Sequence, residues 1–247
     1  SLAAYEAAGS TSSVTVTMPY EYWDLTLSLS TGYSTRSPFG LGNMGAGLGF
    51  SSGLNNIKYD EAMYRPASSD IRSVANTWLW TNKLTARAYL NGLDLWYNPT
   101  KGYYASQRLT WAGLIPPPVE AQSYIRSDTR LDLYYTLFSI PISDDFKFKW
   151  VLGGHSALSA IMPHPGDGSP TVSYKDDLRI DGTFIGRGWS SLYSSIDDGR
   201  TLWDNWLELR MPILEQYFWL DGFIDADALY TQSGLLAINH SSVSIEP

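Results

Sequence analysis

The chain has 247 residues and no cysteine. That excludes a disulfide framework, a thiolate metal site and a cysteine nucleophile, although it does not identify a compartment. Charge is scarce and leans acidic: 17 Lys and Arg stand against 25 Asp and Glu, for a net of −8. Proteins that displace counterions from nucleic acid need a basic face, so nucleic acid is not an expected partner. Nowhere does an apolar run approach the roughly 18 residues of a transmembrane helix. The start, SLAAYEAAGS, lacks the basic-then-apolar order of a signal peptide. His155, His164 and His240 are scattered without paired spacing, so no metal is expected. No Ser-His-Asp constellation or cofactor motif stands out either, so the chain is not expected to be an enzyme.

Aromatic residues are what the chain has in excess. They make up 14% of it, with 10 Trp and 17 Tyr, against only 17% charged residues. This balance is usual in outer-membrane barrels, whose rings form girdles at both lipid interfaces. A soluble β-sandwich rich in Trp and Tyr is the competing reading of composition alone.

Periodicity separates the two. In Trp23-Asp24-Leu25-Thr26-Leu27-Ser28-Leu29-Ser30 the odd positions are apolar and the even ones polar. From Ile125 to Leu137 the odd positions carry mostly Leu and Tyr, while Arg126, Asp128, Arg130 and Asp132 fill the even ones. Successive strand side chains point to opposite faces, so each segment has one greasy and one charged face. Similar strands are predicted near 13–19, 22–35, 44–57, 72–84, 103–114, 125–137, 145–159, 201–213 and 217–230. Several approach the roughly 9–11 residues needed to cross a bilayer. Arginine facing lipid costs several kcal/mol at the midplane, so the charged faces are expected to line a wet lumen. Open edges are not tolerated in lipid, and such strands are expected to close into a barrel.

The last two strands sharpen this. Asp204, Glu208 and Arg210 share one face of the segment 201–213, and Asp221, Asp225 and Asp227 share one face of 217–230. Just before them a long loop, about 160–190, carries Gly186-Arg187-Gly188-Trp189. A loop folded into the lumen would bring the Arg187 guanidinium against Glu208 and Asp225, since arginine forks onto carboxylates.

FIGRGW followed by WLELRMPI and FIDADAL resembles the Omp85 superfamily, in particular its BamA-type barrel-assembly branch. Tyr97-Asn98-Pro99-Thr100-Lys101-Gly102 is similar to the superfamily's Y-x-P-T-x-G turn, and FSIPISDDFKFKWVL to the hairpin that follows it. Two positions depart from the pattern: Asp227 stands where a glycine is usual, and Gly186 where Val or Thr is usual. The resemblance implies an all-β transmembrane antiparallel barrel, with sixteen strands in the family. The chain 1–247 would be the middle portion of one such barrel domain, without the family's POTRA modules.

It implies that Arg187, Gly188 and Trp189 form a loop motif inserted in the lumen, with Glu208 and Asp225 as its partners on the wall. It also implies a bacterial outer-membrane location, and a role in folding and inserting other β-barrel proteins without cofactors or covalent chemistry. Expected partners are outer-membrane lipid, nascent barrel proteins and accessory subunits of an assembly complex. Another Omp85 transporter, of the TamA or two-partner secretion type, fits the same motifs. A passive porin would share the charged lumen without needing the arginine loop.

Overall fold

A computed structural model describes residues 2–5, 14–17, 19–64, 75–115, 122–142, 147–173, 175–182, 184–187, 199–214, 218–231, 234–238 and 244–246. These residues form strands and turns, without helix. β1 (Leu2–Tyr5) and β2 (Val14–Thr17) pair only with each other. One large antiparallel sheet holds β3 (Glu21–Arg36), β4 (Asn43–Lys58), β5 (Trp78–Asn91), β6 (Gly102–Ala112), β7 (Tyr124–Pro141), β8 (Lys147–Met162) and β9 (Gly199–Leu214). β10 (Phe218–Asp225), β11 (Ala228–Thr231), β12 (Gly234–Ile238) and β13 (Ser244–Glu246) complete it. β10 and β11 both pair with β9, on its two successive halves. They are one row interrupted at Ala226–Asp227, where the Ala226 N–H still donates to the Asn205 carbonyl at 2.8 Å.

The parity expected from the sequence holds along the sheet. Leu25, Leu27, Leu29, Leu48, Leu84, Leu109, Leu131, Leu133, Leu158 and Leu207 lie exposed on the outer face. Exposed rings flank this apolar band, with Trp23, Trp78, Trp111 and Trp203 toward the long-loop end and Tyr33, Tyr135 and Phe138 toward the short-turn end. That is the arrangement of a bilayer-facing surface with an aromatic belt at each interface. β7 keeps its alternation as far as Thr136, where a bulge shifts the register before Phe138.

Two expectations need correction. The strand predicted near 72–84 is β5, Trp78–Asn91. Its second half, Ala86-Arg87-Ala88-Tyr89, carries small and long polar residues that blur the apolar alternation. The strand predicted as 217–230 is broken at Ala226–Asp227. Between β8 and β9 the described residues of the long loop are 163–173, 175–182 and 184–187. Among the described residues, no ladder joins β3 to the row of β12 and β13.

The sheet nonetheless curves deeply. Leu178 is bridged to Gly199 at the start of β9. Close by, the Lys175 ammonium meets the Asp24 carboxylate on β3 at 3.0 Å. The stretch from 175 to 178 can span at most about 11 Å. In a flat sheet, the spacings between β9 and β3 would amount to about 29 Å. The sheet must therefore wrap around the loop, which lies against its concave face. Loop residues Val172, Leu178 and Ile180 pack there on the inward side chains Ala112, Tyr124, Ile161, Leu202 and Leu229, with Ile185 alongside. Burying an aliphatic side chain contributes about 1.5–3 kcal/mol. This apolar plug is thus the main fastening of the loop, and it leaves the loop's polar tip to be aimed.

Candidate functional site: the loop tip and its wall

The tip is shaped locally first. The Asp181 carboxylate accepts the N–H groups of Phe184 at 2.7 Å and Ile185 at 3.0 Å, and the Gly182 N–H donates to the Ile185 carbonyl at 2.9 Å. Gly186 follows at φ 68°, a left-handed conformation that a side chain would strain, and it turns Arg187 toward the wall.

Asp225 takes three donors from Arg187. The backbone N–H and Nε reach Oδ2 at 2.9 and 3.1 Å, and Nη2 reaches Oδ1 at 2.9 Å. The fourth contact runs from Nη1 to Glu208 Oε2 at 3.2 Å. The guanidinium carbon lies 3.8 Å from the centre of the Phe223 ring and 5.5 Å from that of Trp206. Register explains the geometry. Phe223 is opposite Glu208 and Asp225 is opposite Trp206, so the four inward side chains form one compact block with two acids and two rings. Charge-assisted forks and ring stacking are the two contacts for which arginine is better suited than lysine. The carboxylate side chains of Glu208 and Asp225 are only 6% and 2% exposed, so removing the cation would strand buried charge. Gly188 and Trp189 lie outside the described residues.

Glu208 is shared. Its Oε1 accepts from Arg210 Nε, and the Arg210 guanidinium lies 5.1 Å from the centre of the Tyr134 ring. Arg210 Nη1 stands 3.5 Å from Asn98 Oδ1, at the outer limit of a hydrogen bond. Asn98 belongs to the turn between β5 and β6, where it takes a left-handed φ of 55°. Asp94 ties that turn together, accepting from the Leu95, Thr100 and Lys101 N–H groups and from the Thr100 hydroxyl at 2.6 Å. Two of the segments that carry the sequence resemblance, the Arg187 loop tip and the turn at 97–102, are therefore linked in space by Glu208 and Arg210.

Several neighbours were not legible as site residues. Trp206 and Phe223 are apolar side chains on the polar face. His155 lies between two acids, with Nδ1 against Asp132 and Nε2 3.3 Å from Asp204, and stacks on Trp206 at 5.2 Å with planes 7° apart. Arg130 bonds Asp132 two residues along β7, and Arg126 bonds Asp128 in the same way at 2.8 Å. The signal for His155 was present in its even spacing from Gly153 and Ala157, which puts it on the inner face. Its partners on β7 and β9 depend on register.

Fold and site together define the wall of a transmembrane antiparallel β-barrel of outer-membrane type, with an arginine-bearing loop against its inner face. The Omp85 superfamily domain matches residues 1–240, and the chain belongs to that superfamily. Its location is the bacterial outer membrane. A protein of Treponema pallidum (strain Nichols) named as an outer membrane protein assembly factor is 28% identical over 218 residues. The match covers 86% of this chain and 25% of that relative, so the chain spans a quarter of its length. Among solved structures, BamA from Haemophilus ducreyi lacking POTRA domains 1–3 shares the fold with a TM-score of 0.56 and 15% identity, over 93% of this chain and 45% of that one.

Proposed function

We propose that this chain is the barrel-wall portion of an assembly protein of the BamA type, which folds and inserts other outer-membrane β-barrels. In this reading it does no covalent chemistry and uses no cofactor. Its work is mechanical: a wall held in shape on one side, beside which client strands pair through backbone hydrogen bonds. The loop tip acts as a brace, with Arg187 docked on Asp225 and Glu208. The observation that carries the reading is the single guanidinium that joins a loop to two neighbouring strands through two buried acids. The name and similarity of the Treponema relative support it.

The test uses the full-length protein with Arg187→Ala, as the sole copy in cells depleted of the wild type. Client barrel proteins should fall several-fold in the outer membrane, while the variant itself still reaches the membrane and stays heat-modifiable. Normal client levels would overturn the reading. The reversal Arg187→Glu with Glu208→Arg is not expected to rescue. Its new carboxylate at position 187 would meet Asp225, and its new guanidinium at position 208 would meet Arg210. Reversing Arg187 with Asp225 is the better-matched exchange, since Asp225 accepts from both Nε and Nη2 of Arg187, whereas Glu208 accepts from Nη1 alone.

A further inference from the structure

Away from the docked loop tip, the inner face carries a second charge cluster of opposite sign. Gly47, Arg87, Arg108 and Asp128 are successive register partners in one transverse row across β4, β5, β6 and β7. Gly49, Thr85, Thr110 and Arg126 form the adjacent row on the long-loop side. Arg87 and Arg108 thus sit directly opposite each other, an arrangement of like charges that destabilises a strand pair. Among the described residues, neither guanidinium has a hydrogen bond or an ion pair. The acid opposite Arg108, Asp128, instead accepts through Oδ1 from Arg126 at 2.8 Å and from the Ser159 hydroxyl at 2.7 Å. Asp176 from the loop is likewise taken, by Lys83 at 2.6 Å and Gln122 at 2.7 Å.

The pair lies between two openings. A cavity of about 360 Å³ on the long-loop side is lined by Lys83, Arg87, Arg108 and Arg126, with Asp128 and Asp176. A second, of about 320 Å³, continues from the same two arginines toward Trp96 and Tyr104 at the short-turn end. The missing side chain at Gly47 makes room, since a Cβ there would stand 3.0 Å from Arg87 Nε. In a chain with a net charge of −8, this cavity gathers four cations against two carboxylates.

We infer that the Arg87–Arg108 pair is a binding site for a phosphate-class oxyanion inside the barrel wall. The surplus of positive charge in the cavity matches a phosphate monoester, which carries about −1.5 to −2 at neutral pH. Guanidinium forks match its oxygens in bidentate fashion. The Thr85 and Thr110 hydroxyls, 3.4 Å apart in the next row, supply neutral donors beside them. An anion at this position cancels the repulsion across β5 and β6. The phosphate can come from solution or from a phosphorylated lipid headgroup, and both present the same chemistry.

The test is calorimetric titration of the full-length protein in neutral detergent, in a phosphate-free chloride buffer, with inorganic phosphate and separately with dihexanoyl phosphatidic acid. Saturable binding is expected, weakened at least about ten-fold by Arg87→Gln with Arg108→Gln and unchanged by the exposed control Lys147→Gln. Tighter binding of phosphatidic acid than of phosphate assigns the lipid source, and equal binding assigns the free ion. A fold readout accompanies it: phosphate should raise the melting temperature of the wild type only, and without phosphate the double variant should melt above it. Absence of saturation with both probes, or binding retained in the double variant, would overturn the site.

Discussion

β4 and β8 are the same length, 16 residues each, and each is paired on both sides over long antiparallel ladders. Their backbones are equally provided for, yet their inner faces differ. β4 presents Gly45, Gly47, Gly49, Ser51 and Gly53, so none of its own inward side chains is charged, and the loop reaches only its neighbours, through Lys175 to Asp24 on β3 and Asp176 to Lys83 on β5. β8 presents Val151, Gly153, His155, Ala157 and Ser159, flanked by the ion pairs of β7 and β9 and capped by the loop. Similar hydrogen-bond ladders thus carry two inner faces with very different side-chain ties. Side chains tie the strands of the second wall together, whereas strand-interior glycines weaken the first.

The largest blow to this contrast is Leu178→Ala. Leu178 is buried in the apolar plug, and its truncation should cost about 2–5 kcal/mol. It should expose the loop to protease, seen as cleavage within 163–187 while the sheet stays intact. Next is Arg187→Ala, which strands the carboxylates of Asp225 and Glu208. Breaking a buried pair costs about 3–5 kcal/mol, and the partial exposure of Arg187 with the retained Arg210 contact puts this case near the lower end. Denaturant midpoints of the full-length variants check both values.

A matched pair of glycine substitutions sharpens the comparison. A Cβ at Gly49 would meet its neighbours no closer than 3.8 Å, so Gly49→Ala should stabilise by about 0.5–1 kcal/mol. On β8, a Cβ at Gly153 would stand 3.1 Å from the Tyr134 ring and 3.2 Å from Trp206, the rings that meet above it. Gly153→Ala should therefore destabilise by about 1–3 kcal/mol. Melting shifts of the same sign for both would remove the distinction between the walls.

The smallest effect concerns pH. Burial pushes the Asp94 carboxyl up, but the Thr100 hydroxyl and the N–H groups of Thr100, Lys101 and Leu95 outweigh it and hold the carboxyl below its usual value. A carboxyl lowered on folding stabilises above its unfolded pKa of about 3.9, and that contribution fades as pH falls through the folded value. Hydrogen exchange at Thr100 and Lys101 should accelerate there on acidification, and Asp94→Asn should flatten the pH dependence.

Alternation made much of this fold legible. Leu25, Leu27 and Leu29 against Asp24, Thr26 and Ser28 are enough to assign outside and inside. β5 was misplaced because Ala86 and Ala88 give its outer face little hydrophobic signal. The break at Ala226–Asp227 was invisible because parity continues across it, with Asp225 and Asp227 both inward. Glu208 and Asp225 were legible as inward acids, since parity alone identifies a face. Trp206 and Phe223 were not, because rings on a polar face contradict the pattern until a cation is known to lie on them. The plug of Val172, Leu178 and Ile180 was hidden for the same reason: apolar residues in a loop show no period.

The central claim is that the docked tip of the loop, through Arg187, braces the wall of β8, β9 and β10 and not the glycine-lined wall around β4. Hydrogen exchange on the full-length protein in lipid nanodiscs, wild type against Arg187→Ala, tests it most directly. In the wild type, amides of β8 should exchange more slowly than those of β4, and the variant should lose protection in β9 and β10 while β4 is unchanged. Equal protection of β4 and β8, or a uniform loss across the sheet on removing Arg187, would contradict it.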